Sequence, residues 1–165
     1  MTRILVAIFL FLATPVVAQD PTFGFSADDP AMNAAIAEAR DTLPAFLDTM
    51  IGANGSTVEG VMLKVAVPTV NGVNAHEHIW VAPVKRQADG SFVGTLANEP
   101  VELGDLRLGD DIPFSQDQIS DWSLFSPEGL LYGNYTSRVM YDQGAFGAVP
   151  FEMIFTPDPI PPGLK

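Results

Sequence analysis

The chain has 165 residues, with 20 Asp and Glu against 8 Lys and Arg, a formal net charge of −12 at pH 7, and no cysteine. Such a chain lacks the clustered Lys and Arg that bind phosphate backbones or anionic membranes, so neither nucleic acid nor a membrane surface is expected as a partner. The missing cysteines exclude disulfides, thiolate catalysis, cysteine zinc sites and lipid attachment through cysteine, which leaves packing as the source of stability.

Arg3, the unbroken apolar run 4–13 and Val16-Val17-Ala18 have the form of an export signal, with cleavage expected after Ala18. Pro15 and then Gln19-Asp20 end the apolar run short of the roughly 20 residues that a membrane anchor needs. The expected mature protein is therefore periplasmic or secreted, with no membrane association after cleavage. Cleavage removes Arg3 and no acidic residue, taking the charge from −12 to −13, and leaves 147 residues, enough for one ordinary core. Residues 19–27 read as a linker, 28–156 as a single domain, and 157–165 as a Pro-rich tail expected to be loosely ordered.

Asp28 or Asp29 before Pro30 marks a helix start, because a carboxylate accepts the free N–H groups of the first turn and Pro30 has none to lose. Met32, Ala35, Ile36, Ala39, Leu43, Phe46, Leu47 and Met50 then recur at three- and four-residue steps, the apolar side of a helix. Pro44 predicts a kink or break near Thr42, whose hydroxyl is placed to cap a second segment, and Gly52, Asn54 and Gly55 end the run. From Gly60 the period changes to alternation: Val61, Leu63, Val65 and Val67 share one face of a strand, Met62 and Lys64 the other, and Pro68 closes it. Asn71-Gly72 turns the chain into an antiparallel strand over 75–84, and Ala88-Asp89-Gly90 into a third over 91–96.

The Gly- and Asp-rich stretch 98–111, with Leu103, Leu106 and Leu108 packed within it, reads as an ordered loop. Ile112-Pro113-Phe114 reads as a short edge strand. Ile119-Ser120-Asp121-Trp122 follows, and the alternation of Tyr132, Asn134, Thr136 and Arg138 predicts a further strand within 130–141. The apolar run 149–155 predicts a last edge strand.

Several short motifs stand in a fixed order here: residues 37–46 (Ala-Glu-Ala-Arg-Asp-Thr-Leu-Pro-Ala-Phe), Glu77-His78-Ile79-Trp80-Val81, 94–100, Gly109-Asp110, Ile119-Ser120-Asp121-Trp122, and Gly133-Asn134-Tyr135-Thr136-Ser137-Arg138. In that order the chain resembles the YegJ-like family of uncharacterised bacterial proteins (DUF2314). The resemblance covers most of the mature chain and implies an α+β domain, often exported; it implies no established activity and no catalytic residues. His76, the linker and the tail fall outside the pattern.

Five groups of residues invite chemistry. His76 and His78, two apart on a strand, share a face and would chelate one metal if a distant carboxylate supplied a third ligand, since Glu77 points the other way. Ordinary surface or hydrogen-bonded histidines are the favoured explanation of the pair, and no metal or cofactor is expected. If Asp121 lies beside His78, its carboxylate would fix the imidazole tautomer as an acid–base site requires; a structural pair beneath Trp122 makes the same contact. Trp80, Trp122, Tyr132 and Tyr135 form either an aromatic binding surface or part of the core. Arg138 would receive an anionic ligand or pair with Glu77 or Asp121. Gly104-Asp105 and Gly109-Asp110-Asp111 join glycines to carboxylates as calcium loops do, without the EF-hand spacing, and turn formation accounts for them.

The reading that follows is an α+β domain in which an N-terminal kinked helix packs on an antiparallel sheet of about five strands. Its expected role is a non-catalytic, exported binding or interaction module for a protein, peptide or glycan. The alternative is a small hydrolase-like enzyme using His78 with Asp121 or Glu77 as acid–base partners, which requires those side chains to converge in an open cleft.

Overall fold

The computed structural model describes residues 29–70 and 72–164. The expected signal segment, the linker and Asn71 lie outside them. Helix α1 runs over Pro30–Met50, and the Asp29 side chain accepts from the backbone N–H of Ala31 and Met32, as the sequence predicts. Ala35, Ala39, Leu43, Phe46 and Leu47 are buried along one side. Pro44 does not divide the helix. The Thr42 hydroxyl caps nothing: it donates back to the Ala39 carbonyl at 3.0 Å and accepts the Trp122 indole N–H at 2.9 Å. A helix held along its length by burial tolerates the one hydrogen bond that Pro44 removes.

Six strands follow: β1 (Val61–Pro68), β2 (His76–Arg86), β3 (Phe92–Leu96), β4 (Asp111–Phe114), β5 (Ile119–Phe125) and β6 (Leu131–Gly133). They form one sheet in the order β4-β3-β2-β1-β5-β6, and every neighbouring pair is antiparallel. Residues 112–114 do form an edge strand. The α+β class holds, with six strands rather than about five. The core face carries Val61, Leu63 and Val65 of β1, Ile79, Val81 and Val84 of β2, and Phe92, Leu96, Ile112 and Phe114 beyond them, all buried. Helix α1 lies on this face, where Phe46 stacks on Trp122 with ring centroids 4.1 Å apart and planes 20° from parallel. In the loop before β4, Leu103 is buried and Leu106 packs against the core, whereas Leu108 is exposed.

β5 carries a bulge that positions everything discussed below. Leu63 pairs with Trp122 and Lys64 with Asp121, but Val65 pairs with Ile119, so Ser120 is an extra residue. Strict alternation would send Ile119 and Trp122, three apart, to opposite faces. The bulge returns both to the core and leaves two polar residues in succession, Ser120 and Asp121, turned away from it.

Two strand expectations are corrected. Within 130–141 only Leu131–Gly133 is strand, and Tyr135–Asp142 forms helix α2. Gly133 and Asn134 both adopt left-handed backbone, φ 64° and 54°, which ends the strand and starts the helix in two residues. Over 149–155 the chain forms a short 3₁₀ turn, Phe151–Met153, touching β6 through a single parallel bridge, Leu131 to Phe155. The turn places Phe151 and Phe155 against Tyr141, with ring centroids at 5.3 and 6.1 Å, whereas in a strand these two residues would share a face but lie about 13 Å apart. The tail is packed rather than loose: Pro161 is buried, Leu164 lies against the core, and Gly133 N–H donates to the Pro159 carbonyl at 2.7 Å.

A Cβ on Gly133 would lie 2.3 Å from the Trp122 carbonyl oxygen, whereas one on Gly90, also left-handed at φ 89°, would meet nothing within 4 Å. Gly90→Ala should therefore cost about 1–2 kcal/mol for backbone conformation alone. Gly133→Ala should lose a further 1–3 kcal/mol or so from overpacking. Urea unfolding of both variants checks this, and equal losses would contradict it.

Candidate functional site

The residues with chemical potential lie on and around β5, and the bulge decides their partners. Asp121 is buried at the start of α2. Its carboxylate accepts from Trp122 N–H (2.8 Å), Tyr135 N–H (3.2 Å), Thr136 N–H (2.8 Å) and the Thr136 hydroxyl (2.6 Å). The three N–H groups can only donate, which favours the ionised form against the effect of burial. These are also the first free N–H groups of α2, where negative charge is favoured.

Lys64, paired with Asp121 across the strands, is buried as well. Its ammonium donates to Thr136 Oγ1 at 2.8 Å and lies 4.9 Å from the centre of the Trp80 ring. Thr136 thus relays between a buried cation and a buried anion. Burial lowers the Lys64 pKa and raises that of Asp121, and in each case the charge of the other opposes the shift. Neither Lys64 nor Thr136 stands out in the sequence. The available signal was a lysine at an interior position of an otherwise apolar strand, 61–67.

His78 bonds to Ser120, not Asp121: its Nδ1 lies 2.9 Å from Ser120 Oγ. Packing of the ring against the sheet, then the Lys64 charge, then His76 and Arg40, lower the His78 pKa from 6.5 to about 4. The residue is still more than a third exposed, so solvent screens part of that effect. His76 is exposed on the same face of β2, opposite Pro68. Among the described residues no cluster of three or more His, Asp or Glu is placed to hold a metal.

Glu77 faces away from both histidines. Its carboxylate accepts from Val101 N–H (2.9 Å) and Glu102 N–H (2.7 Å), tying the 98–110 loop to β2. His78, Asp121 and Glu77 therefore have three separate sets of partners and do not converge.

The aromatic candidates divide likewise. Trp122 is fully buried and Tyr135 nearly so, edge-on to Trp122 at 5.7 Å, so neither offers a surface. Trp80 is half-buried on the opposite face of the sheet, and Tyr132 packs partly against the core. Arg138 pairs with neither Glu77 nor Asp121: its guanidinium donates to the carbonyls of Gly133 (2.8 Å), Leu131 (3.1 Å) and Thr156 (2.9 Å) and lies over Phe151 and Phe155. It fastens the last segment to β6. Of the acidic loop residues, Asp110 accepts from Arg107 N–H and Asp111 from the Thr95 hydroxyl, which are turn and edge contacts. Two open grooves, of about 530 and 300 Å³, are lined by Arg40, Leu43, Gln116 and Asp117 and by residues 57–61 with Ala82 and Pro83; neither holds His78, Asp121 or Glu77.

Fold and site together define an α+β domain in which Lys64, Glu77, Asp121 and Arg138 are engaged in internal contacts. The chain belongs to the bacterial family described as "Uncharacterized protein conserved in bacteria (DUF2314)", which it matches over residues 29–146. It is similar to the uncharacterized protein YegJ of Escherichia coli (strain K12), 28% identical over 109 residues that cover 66% of each chain. It is also similar to a putative ankyrin repeat protein of Neisseria meningitidis serogroup B, 37% identical over 68 residues, which cover 41% of this chain and 26% of the relative. The match thus spans about a quarter of the length of one relative and about two thirds of the other. No solved structure matches it.

The His78 shift has a definite sign in pH. Above its ordinary value of 6.5 the imidazole is neutral in both folded and unfolded chains. As pH falls from there to about 4, the unfolded chain takes up a proton that the folded one refuses, so folding loses stability in that window. In urea unfolding at about pH 7 and pH 4.5, His78→Gln should gain on the wild type at the lower pH. A stability difference that does not change with pH would contradict this.

Proposed function

We propose that this chain is an exported, non-catalytic module that binds a partner protein through the end of the sheet carrying Val70, Val73 and Val101. The observation that carries the reading is how the fold uses its reactive groups. Asp121, Lys64 and Thr136 satisfy one another in a buried relay, Glu77 clamps a loop, and Ser120, the hydroxyl nearest His78, has no exposed surface. Nucleophilic or acid–base catalysis needs such groups within reach of a substrate in an open site. Among the described residues no buried side-chain nitrogen or oxygen is without a hydrogen-bond partner, as expected of polar groups that serve the fold.

What the fold leaves outside supports binding. Val70, Val73 and Val101 are 58%, 96% and 66% exposed. They surround Glu102, whose carbonyl accepts from Val70 N–H and whose carboxylate accepts from Val73 N–H. The backbone beneath these side chains is thus held rather than loose. Glu77, Glu99 and Glu102 bring negative charge to the same region, which favours a partner pairing apolar side chains with Lys or Arg. The Neisseria relative is named for ankyrin repeats, an architecture that presents extended binding surfaces, and this supports the same reading. For export, the support is Arg3, the apolar run 4–13 and Val16-Val17-Ala18.

One preparation tests both halves. Expressed from Met1 in a bacterial host, the protein should be recovered from the periplasmic extract with a mass beginning at Gln19. A displayed peptide library selected on it should yield apolar sequences flanked by Lys or Arg that fail to bind the Val73→Glu/Val101→Glu variant. Retention of residues 1–18 in the cytoplasm would sink export. Peptides that bind the variant equally, or ester or peptide hydrolysis that disappears in His78→Ala, would sink the binding reading.

A further inference from the structure

The exposed face of β2 opposite the core holds an arrangement that the fold does not use. His76 and His78 are two apart on the strand, so both side chains stand on this face, with Cα atoms about 6.6 Å apart. Their cross-strand partners on β1 are Pro68 and Ala66, neither of which carries a polar side chain, and the nearest cations are Lys64 and Arg40. Both histidines are exposed.

Ser120 stands against one nitrogen of His78, Nδ1. Its hydroxyl lies 2.9 Å from His78 Nδ1 and 3.3 Å from the Lys64 carbonyl oxygen, to which it donates. When the Ser120 proton lies on the Lys64 carbonyl, Ser120 Oγ is left to accept from Nδ1–H. In that arrangement neutral His78 is the Nδ1–H tautomer and Nε2 carries the lone pair, the form the proposal below uses. An imidazole that donates its far N–H to a fixed oxygen while its other nitrogen stays open is the form a metal-bound histidine takes. The β5 bulge creates this support, since Ser120 is the extra residue.

From this juxtaposition we propose that His76 and His78 Nε2 form a two-imidazole site for a divalent transition-metal ion, Cu(II) in preference to Zn(II), with Ser120 as the positioning residue. Imidazole suits copper, nickel and zinc, and for a given donor set copper stands highest among the first-row divalent ions. Nitrogen ligands about 2 Å from one ion are compatible with the strand spacing. No third His, Asp or Glu joins the pair among the described residues, so the remaining positions fall to water and the ion is exchangeable rather than structural. The inference does not rest on the binding reading above.

Trp80, two residues beyond His78 on the same face, provides the readout, because bound Cu(II) quenches a nearby indole; Trp122 is buried on the core side. The full chain is titrated with CuCl₂ and with ZnCl₂, following tryptophan fluorescence, with the electron paramagnetic resonance spectrum of the copper form as the second measurement. The expected result is one Cu(II) per chain, nitrogen coupling in the spectrum, weaker Zn(II) binding, and a loss of at least about tenfold in affinity in His76→Ala and His78→Ala. His76 is an exposed residue at the first position of its strand, so His76→Ala folds even if His78→Ala does not. Ser120→Ala, checked for folding by circular dichroism, should lose about tenfold while keeping both histidines. Copper bound as tightly by His76→Ala as by the wild type, a spectrum without nitrogen ligands, or affinity weaker than about 100 μM would overturn the site. Unchanged affinity in Ser120→Ala would overturn the positioning role.

Discussion

The Asp121 carboxylate accepts the N–H groups of Tyr135 and Thr136 and the Thr136 hydroxyl, and Thr136 in turn accepts from Lys64. A carboxylate taken this far from water is stable only if every lone pair is used, and here the opening turn of α2 uses them. The same contacts fix where the chain turns after β6. Gly133 can pass the Trp122 carbonyl because it has no side chain, and Tyr135 then reaches Trp122 on one side of β5 while Thr136 reaches Lys64 on the other. Helix α1 meets the same strand from the core side through Phe46 and the Thr42 hydroxyl. The two helices and the central strands are thus assembled around two consecutive residues, Asp121 and Trp122.

Much of this architecture was legible in the sequence because it follows from local rules. The eight apolar positions of α1 and the Asp29-Pro30 start define the helix, and the alternation of 61–67 with the turn residues defines the first hairpins. Residues 134–138 misled because polar alternation over a few residues resembles a strand, while the determinants of α2 are a left-handed pair and a carboxylate 14 residues upstream. The 149–155 run misled because its aromatics answer to Tyr141, a tertiary partner. Both errors are cases where a contact distant in sequence overrides local pattern.

The candidate site was half legible for the same reason. His78 and Asp121 were visible as chemistry, but their partners depend on one extra residue in β5. The three-residue spacing from Ile119 to Trp122, with Ser120 and Asp121 between, is the trace of that bulge: a strand that buries both ends of such a spacing must contain one. Lys64 was visible only as a polar residue on the second face of β1. Its burial follows from Thr136, which no local rule brings there. The motifs at 37–46, 119–122 and 133–138 that resemble the family all meet around Trp122, so in this fold they describe a packing centre.

The account stands on Lys64, Thr136 and Asp121 being one energetic unit, and a double-mutant cycle measures that directly. Urea unfolding of Lys64→Met, Asp121→Asn and the double variant should show each single change costing about 3 kcal/mol or more, because each leaves the other group buried and uncompensated. The double variant should lose less than the two costs added, giving a coupling of roughly 1–3 kcal/mol. Additive losses, or single variants within about 0.5 kcal/mol of the wild type, would contradict the claim that this buried relay holds α2 on the sheet.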